Sequence, residues 1–172
     1  EWYHQRLLTA PDARAARDYL RSRGIDGTVA RRFRLGWAPD DWDALVRALG
    51  RPERELRESG LAFLNRRNRL QDTFRGRLLF PILNESGEAV AFGGRILPGS
   101  TDPAKYKNSP ETEIYRKSRV LYGLSWAKSE IVKVANGYAR NFLFPRKLAL
   151  AVTSENKKQI ERERVKAEAR EA

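Results

Sequence analysis

The stretch Phe74–Gly123 reads FRGRLLFPILNESGEAVAFGGRILPGSTDPAKYKNSPETEIYRKSRVLYG, and its pattern decides the fold. Two short apolar segments, Leu78–Ile82 and Ala89–Phe92, are separated by Asn84–Gly87, whose composition is typical of a tight turn. We therefore predict two strands joined as a hairpin. Because Pro81 has no N–H to donate to a neighbouring strand, its strand is predicted to lie at a sheet edge or to carry a bulge.

Basic residues gather around this small sheet, namely Arg75, Arg77, Arg95, Lys105, Lys107, Arg116, Lys117 and Arg119. Core packing does not require them, because an unpaired buried cation is costly. They indicate a surface that contacts phosphate. An exposed edge beside Arg75 and Arg77 would suit a nucleic-acid backbone. The Gly93-Gly94 pair is predicted to let a strand approach the main chain, and the alternative is a plain bulge.

The composition of the whole chain agrees with this prediction. The 172 residues contain 34 Lys and Arg against 22 Asp and Glu, which gives a formal net charge of +12, and such an excess is typical of nucleic-acid binding. There is no Cys and only one His, so disulfides, zinc fingers and imidazole catalysis are excluded. No apolar run reaches the roughly 18 residues of a membrane helix, so we expect no membrane partner and a cytoplasmic location.

The first 60 residues predict short helices that begin at Pro or Asp and stop at Gly. Their predicted limits are Pro11 to Gly24, Asp26 to Gly36, Asp40 or Asp41 to Gly50, and Pro52 to Gly60. Trp42 and Leu45 recur at helical spacing and are predicted to face the core. The fold class is therefore α+β: a helical N-terminal part packs on a small mixed or antiparallel sheet, and a strand-loop-strand element and a charged helix follow.

Four motifs in this order, RGRLLFPI, AFGGRIL, KYKNSPET and KSRVLYG, resemble the bacterial DnaG-type DNA primase. The resemblance runs from about Trp2 through Ala127 and covers the N-terminal half of that family's RNA-polymerase core. It implies a mixed α/β lobe that follows single-stranded template. It also implies that this lobe helps to hold the incoming nucleotide beside a metal-binding Toprim lobe.

The resemblance also implies which residues contact template or the RNA·DNA hybrid, namely Arg75, Arg77, Arg95, Lys105, Tyr106 and Asn108. It places Lys117 toward the nucleotide. These roles suit the chemistry of the side chains, since guanidinium groups bind phosphate oxygens in pairs and the ring of Tyr106 offers a stacking surface for an unpaired base. We expect Arg95 and Lys105 to line one shared groove rather than separate spots neutralised by carboxylates.

The residues that would make a primase catalytic are replaced in this sequence. The family's pattern continues with Glu-Gly-Tyr-x-Asp and later Asp-x-Asp, whose carboxylates hold metal ions. Here Asn136 and Arg140 stand at the Glu and Asp positions, and no Asp follows Asp102. An amide and a guanidinium are poor ligands for Mg²⁺. We therefore expect no catalytic residue, metal ligand or cofactor in this chain, and Mg²⁺ would require a Toprim lobe that it lacks.

The tail has a resemblance of its own. EIVKVANGYARNFLFPRKLALAVTSEN, followed by a charged helix, is similar to the N-terminal domain of the ninth protein of the bacterial large ribosomal subunit. That family's glycine loop lies against ribosomal RNA, which implies contacts by Tyr138, Arg140, Asn141 and Phe142. Lys147 stands where a glycine is usual, and the family's first strand and first glycine loop are missing. We predict a strand at 131–135 and a helix after Ser154.

Two domains are predicted, a primase-like part over 1–128 and a ribosomal-protein-like part over 129–172. Within the first part, 1–64 are predicted to be helical and 65–128 to form the sheet and its basic loop. One hypothesis is a primase module that binds single-stranded DNA and RNA primer, with a Toprim-bearing or helicase partner. The alternative is a ribosome-associated protein that binds ribosomal RNA through the tail. A third interpretation is a folded chimera with no selected activity. Either function implies a bacterial cytoplasmic protein, near the nucleoid or the ribosome.

Overall fold

The structure is a computed structural model that describes residues 1–84, 86–120, 122–127, 136–146, 149 and 153. The chain divides into two units, which are described separately: Glu1–Asn84 with Glu88–Tyr122, and Glu85–Gly87 with Gly123–Ala172. The predicted strand at 131–135 and the helix after Ser154 lie outside the described residues. The predicted division at residue 128 stays a prediction. No helix among the described residues is long and apolar enough to cross a membrane.

The first unit begins with helices whose ends follow the punctuation of the sequence. They are α1 (Trp2–Thr9), α2 (Arg14–Ser22), α3 (Gly27–Arg32), α4 (Ala44–Leu49) and α5 (Glu53–Glu58). A 3₁₀ turn at Pro11–Ala13 leads into α2. Gly24 ends α2 in the left-handed conformation, and the Ile25 N–H donates to Leu20 at 3.0 Å. The Asp26 carboxylate caps α3, as predicted. The helix α1 was not predicted.

The strands form one sheet of four and one of two. The four-stranded antiparallel sheet has the order β1 (Gly36–Ala38), β4 (Arg77–Leu83), β5 (Ala89–Ile96) and β6 (Tyr106–Asn108). The smaller sheet pairs β2 (Ala62–Leu64) with β3 (Leu70–Asp72). The predicted β4–β5 hairpin and the α+β class are confirmed. Residues 36–38 were predicted as a helix end, but they form a strand. They pair with β4, which is distant in sequence, and local sequence patterns do not reveal such pairing.

The prediction that the Pro81 strand lies at an edge or carries a bulge is confirmed in its second alternative, since β4 is central in the sheet but its register is irregular. However, β1 pairs only with Arg77–Leu79, so Pro81 lies past its end and loses no hydrogen bond there. The register also shifts between Ile82 and Leu83, which is the irregularity expected near a proline. The exposed edge expected beside Arg75 and Arg77 is not present, because β1 covers it.

Both faces of β4 are buried, which explains its continuous apolar run. Leu78 packs in one cluster with Leu7 and Leu20 of the first helices. Leu79, which points to the opposite face, packs in a second cluster with Tyr3 and Leu45. The central strand therefore joins two layers of the core, and the adjacent β5 and β6 carry the residues of interest.

The helix α4 is capped from a distance rather than by its own first residues. We expected Asp40 or Asp41 to cap it, but the carboxylate of Asp72 accepts the N–H groups of Leu45 at 2.8 Å and Val46 at 3.1 Å. Asp72 is 2% exposed. Burial raises the pKa of Asp72 above its ordinary value, although the two N–H groups act in the opposite direction.

The second unit contains three short helical elements among its described residues. They are α6 (Leu124–Ala127), α7 (Asn136–Tyr138) and one π-helical turn at Ala139–Leu143. The last two occupy the segment predicted to be a glycine loop. Gly137 is a poor helix former, but the segment contains no proline or β-branched residue.

We expect Asp72→Ala to lower the free energy of unfolding by about 1–3 kcal/mol, because two N–H groups of α4 lose their acceptor. Chemical denaturation at neutral pH measures the loss. The control is Asp18→Ala, which removes an exposed carboxylate and should cost less than about 0.5 kcal/mol. Equal effects of the two changes would contradict the assigned cap.

The pH dependence of stability at Asp72 tests its burial, which is the main cause of its raised pKa. Since the pKa of Asp72 is raised in the folded state, the folded chain binds more protons there than the unfolded chain. Stability from this group is therefore greatest at acidic pH and falls as pH rises through the folded pKa. The unfolding free energy of wild type relative to Asp72→Asn should decrease over that pH range, and an increase would contradict the shift.

Candidate nucleic-acid interface

The outer strands β5 and β6 bring three of the predicted residues together. Arg95 lies directly opposite Tyr106 in the antiparallel register, and its Nη1 donates to the Tyr106 hydroxyl at 2.9 Å. The Lys105 Nζ lies 5.9 Å from the centroid of the Tyr106 ring. The ring is 62% exposed. We call Arg95, Lys105 and Tyr106 the Tyr106 face.

Aromatic rings, rather than carboxylates, hold the cations of the Tyr106 face. The Arg95 guanidinium lies 5.2 Å from the Tyr19 ring centroid and 5.4 Å from that of Tyr106. Among the described residues, no carboxylate lies within ion-pair distance of Arg95 or Lys105. The two cations share one ring, whereas the expectation that they line a shared groove for nucleic acid stays a prediction. Positive charge held against an exposed ring can contact a phosphate and a base at once.

Asn108 belongs to the same side of the sheet as Tyr106, because residues two apart on a strand share a face. It pairs with Gly93 in the register of β5 and β6. Its side chain lies over Gly93, since a Cβ added there would be 3.3 Å from Asn108 Oδ1. Asn108 therefore extends the Tyr106 face along β6.

Gly94 makes a close approach to the core and not to an outside strand. A Cβ added at Gly94 would lie 2.9 Å from the Phe74 ring, 3.1 Å from Arg77 Cδ and 3.2 Å from Leu79 Cδ2. Those atoms fill the space that we predicted for a nucleic-acid strand. The glycine is required there because the side chains of β4 and the preceding segment pack directly against the β5 backbone.

Arg77 departs from the prediction of a surface contact. Its side chain is 2% exposed, and Nη2 donates to Asp102 Oδ2 at 2.7 Å. The Ala104 N–H and then the Arg77 guanidinium lower the pKa of the Asp102 carboxyl, although slight burial opposes them. Arg77 is thus largely a buried structural cation. The sequence did not show this, because its partner lies in a distant loop.

Arg75 lies on an exposed tryptophan. Its guanidinium carbon is 3.5 Å from the centroid of the Trp42 ring, and Nη2 donates to Asp40 Oδ1 at 3.0 Å. Trp42 is 62% exposed, so the prediction that it faces the core is wrong. Trp42 precedes α4, which begins at Ala44. The helical spacing that predicted a buried position therefore does not apply to it.

The remaining predicted residues are described by their own local contacts. Lys117 is exposed and its backbone N–H donates to Glu111 at 3.2 Å, so its place near a nucleotide stays a prediction. In the second unit, the rings of Tyr138 and Phe142 stack with centroids 5.2 Å apart. The Arg146 guanidinium lies 4.1 Å from the Phe142 ring. Arg140 and Asn141 are exposed on the same helical turn.

Sequence reasoning missed the role of Lys107, which was only one of many basic residues. It is half-buried, and burial followed by the charge of Arg77 lowers its pKa. Its alternation between the exposed Tyr106 and Asn108 on β6 was the available signal, because such a residue points to the other face of the strand. Lys107 therefore faces Arg77 rather than the Tyr106 face.

The residues described here do not form a metal site. No group of three or more His, Cys, Asp or Glu side chains that could hold an ion occurs among them. The family resemblance sets Asn136 and Arg140 at the positions of the primase carboxylates, and neither side chain is a good ligand for Mg²⁺, so the expected absence of a metal stays a prediction.

The fold and the surface are those of an α+β lobe with a cationic, aromatic sheet face. A family model described as the DNA primase catalytic core, N-terminal domain, matches residues 2–128. The chain belongs to this family of DNA primase catalytic cores, which confirms the resemblance stated from the motifs. A second model, described as the ribosomal protein L9, N-terminal domain, matches only residues 126–160.

Curated relatives agree with the family. The DNA primase of Streptomyces coelicolor is 43% identical over 138 residues, which cover 78% of this chain and 21% of that protein. The DNA primase of Escherichia coli K12 is 41% identical over 131 residues, which cover 74% of this chain and 22% of that protein. The chain thus spans about a fifth of the length of the curated relatives it matches.

Solved structures show the same fold. The RNA polymerase domain of Mycobacterium tuberculosis primase DnaG in complex with double-stranded DNA is 40% identical, with a TM-score of 0.69 over 76% of this chain and 42% of that chain. A DnaG primase catalytic domain bound to ssDNA is 42% identical, with a TM-score of 0.68 over 75% of this chain and 40% of that chain.

We expect Gly94→Ala to destabilise the chain by about 1–3 kcal/mol, because the added methyl group meets Phe74, Arg77 and Leu79 in a packed core. Chemical denaturation measures the change. Gly93→Ala is the matched control, since its methyl group meets only the end of Asn108, and it should cost less than about 1 kcal/mol. If the control is the more damaging change, the packing described for Gly94 is wrong.

Proposed function

We propose that the chain is a single-stranded nucleic-acid-binding module of a bacterial DNA primase, which holds template DNA and nascent RNA primer during primer synthesis. The observation that carries the proposal is the Tyr106 face, where Arg95 and Lys105 lie against one exposed ring. Its cations have no carboxylate partner among the described residues, so phosphate does not have to displace one. Relatives that are DNA primases, and a related catalytic domain bound to ssDNA, support it.

The binding expected from this face is tolerant of sequence and sensitive to salt. Guanidinium and ammonium groups recognise phosphate, which is common to all sequences, and the Tyr106 ring can stack on any base. Asn108, on the same side of β6, adds an amide that can donate to a base or a sugar oxygen. Direct reading of a base sequence would require more fixed polar groups than this face supplies.

We further propose that the chain makes no primer by itself, and that a Toprim-bearing partner supplies the carboxylates and the Mg²⁺. A helicase is a further partner that we propose, and the bacterial cytoplasm, at the nucleoid, is the proposed location. Asn136 and Arg140, an amide and a guanidinium in place of carboxylates, support the catalytic part of this proposal.

The alternative is a ribosome-associated role in which the tail binds ribosomal RNA. The observation that favours it is the cluster of Tyr138, Phe142 and Arg146, together with the short match to the ribosomal protein L9 domain. A guanidinium over stacked rings suits RNA bases and phosphates. The ribosomal protein L9 model matches only residues 126–160, whereas the primase model that supports the first proposal matches residues 2–128.

We expect Arg95→Ala with Lys105→Ala to weaken binding of an oligo-dT strand by tenfold or more at roughly 0.1 M salt. The slope of log K against log salt should fall by about 0.7 for each phosphate group that the variant no longer binds. Fluorescence anisotropy at several salt concentrations measures both quantities. Tyr106→Phe should retain the stacking, and Tyr106→Ala should lose about 1–3 kcal/mol of binding free energy.

The matched control is Arg14→Ala with Arg54→Ala, which removes the same charge from two arginines that are each 85% exposed on helices. It should change affinity by less than about threefold. An equal loss in the control would show that net charge, and not the Tyr106 face, holds the strand. If Tyr138→Ala with Phe142→Ala abolishes binding while the Arg95 and Lys105 variant binds normally, the alternative role is favoured.

For the catalytic part, we expect no template-dependent product when the chain is incubated with nucleotides, template and either Mg²⁺ or Mn²⁺, because the carboxylates that hold the ions are replaced. Labelled nucleotides resolved on a denaturing gel provide the measurement. A DNA primase assayed in parallel is the positive control. Formation of even a dinucleotide that depends on template would contradict this part of the proposal.

A further inference from the structure

The four-stranded sheet has an open edge along β6. Among the described residues, β6 pairs with β5 on one side and with no strand on the other. The carbonyl of Lys105 and the N–H of Ser109 bond to β5, at 3.2 Å and 2.8 Å respectively. Because main-chain groups alternate in direction along an antiparallel strand, those of Tyr106 and Asn108 point away from β5. No main-chain hydrogen bond outside the sheet involves these two residues in the described part of the chain.

A groove of about 1110 Å³ lies beside this open edge. One wall is β6 with the residues that follow it, and the other wall is α5 with β2. Gly60 brings the two walls into contact, since a Cβ added there would lie 2.9 Å from Pro110 Cγ. The ring of Phe63 lines the groove and is 40% exposed. The Lys107 Nζ lies 5.8 Å from the centroid of that ring.

The charges that line the groove suit a single carboxylate better than a polyanion. On α5, Arg54 lies 2.7 Å from Glu58, and Arg57 lies 3.1 Å from Glu53. Lys107 has no carboxylate within ion-pair distance among the described residues, so its charge is the one left over. The two glutamates repel the phosphates of a nucleic-acid strand, whereas one carboxylate can pair with the lysine.

The main chain of the open edge also favours a peptide over a nucleic acid. Tyr106 and Asn108 each present one N–H donor and one C=O acceptor outward. A phosphate backbone supplies only acceptors, so it cannot satisfy the carbonyl groups. An extended peptide carries donors and acceptors in alternation, and it can pair with both kinds of group.

We propose that the open edge of β6 and the adjoining groove bind an extended peptide segment of a partner protein, which adds a strand to the sheet and places an acidic side chain beside Lys107. Side chains of an added strand alternate between faces, so every second one enters the groove and packs on Phe63 and Pro110. A second copy of β6 does not fit, because pairing two such edges would bring their lysines together. The site shares β6 with the Tyr106 face but does not depend on the proposed function.

The test begins with short random peptides displayed on phage and selected on the full chain. The selected peptides should alternate β-branched or aromatic residues with polar ones and carry one Asp or Glu at a groove-facing position. The tightest binder, labelled with a fluorophore, is then measured by fluorescence anisotropy. A selection that yields no saturable binder, or only binders without a carboxylate, would overturn the proposal.

The added strand is tested through main-chain hydrogen bonds. Bound peptide should slow hydrogen exchange at the amides of Tyr106 and Asn108. N-methylation of those peptide residues that face β6 should weaken binding by about tenfold or more, and N-methylation of the alternate residues should not. Asn108→Pro removes an outward N–H without removing a bond to β5, and it should weaken binding in the same direction. Equal effects of methylation at every position, with unchanged exchange, would exclude an added strand.

The groove is tested through its side chains. Lys107→Gln should weaken the Glu-containing peptide by roughly five- to tenfold and should not change binding of the same peptide with Gln in place of Glu. Phe63→Ala should weaken both peptides. The matched controls are Arg14→Gln, at an 85% exposed arginine, and Ile114→Ala, at a 63% exposed apolar residue. Each control should change affinity by less than about twofold, and equal losses in the controls would contradict the assigned groove.

The other occupants give distinct results. The variant with Arg95→Ala and Lys105→Ala should lose oligo-dT binding and keep peptide binding, which separates this inference from the proposed function. If oligo-dT displaces the peptide and Phe63→Ala weakens oligo-dT equally, a nucleic-acid strand occupies the groove and the inference fails. If the chain forms a dimer in sedimentation experiments and Asn108→Pro makes it a monomer, a second copy is the occupant and the inference also fails.

Discussion

The constraint on which the first unit depends is the burial of the Arg77 guanidinium at the start of its central strand. Burying a cation without a partner costs several kcal/mol, so the chain has to bring a carboxylate to it. Asp102 supplies that carboxylate from the loop between β5 and β6. Gly94 must lack a side chain, because the Arg77 stem and the Phe74 ring lie against its backbone. The loop that delivers Asp102 continues directly into Lys105 and Tyr106, so the buried ion pair also sets the place of the Tyr106 face.

The contacts of each basic residue show whether its charge is paired within the protein or available to bind a ligand. The net charge of the chain does not make this distinction. On α5, Arg54 and Arg57 lie 2.7 and 3.1 Å from glutamates one helical turn away. Such exposed pairs contribute little to stability, and their positive charge is already neutralised. Arg95 and Lys105 lie on aromatic rings, which orient a cation without neutralising it. A ligand that carries phosphate and bases meets both groups there. The formal net charge of +12 therefore indicates a binding surface only when cations paired with carboxylates are distinguished from cations that lie on aromatic rings.

Sequence patterns predicted the features that depend on neighbouring residues. They failed for the features that depend on partners distant in sequence. The Gly24 stop, the Asp26 cap and the β4–β5 hairpin follow from residues within one or two turns of each other, and all three are confirmed. The burial of Arg77, the pairing of Gly36–Ala38 with β4 and the cap on α4 each depend on a residue distant in sequence. Composition could not show them. Arg95, Lys105 and Tyr106 were named through the family resemblance, and their role in binding stays a prediction, whereas the position of Lys107 required the register of β6 to be known.

The Gly-Tyr at residues 137 and 138 fits two patterns, and the neighbouring side chains decide between their chemistries. In the primase pattern it follows a strand, and the flanking positions are carboxylates that hold metal ions. Here those positions are Asn136 and Arg140, which favour contact with an anion over coordination of a cation. One M. tuberculosis primase structure, bound to a double-stranded DNA oligomer with an overhang, aligns with 94% of this chain at 31% identity and a TM-score of 0.68, over 55% of its own length. Likeness of fold does not by itself establish metal chemistry, so the charge and hydrogen-bonding groups of individual side chains have to carry any proposal about catalysis.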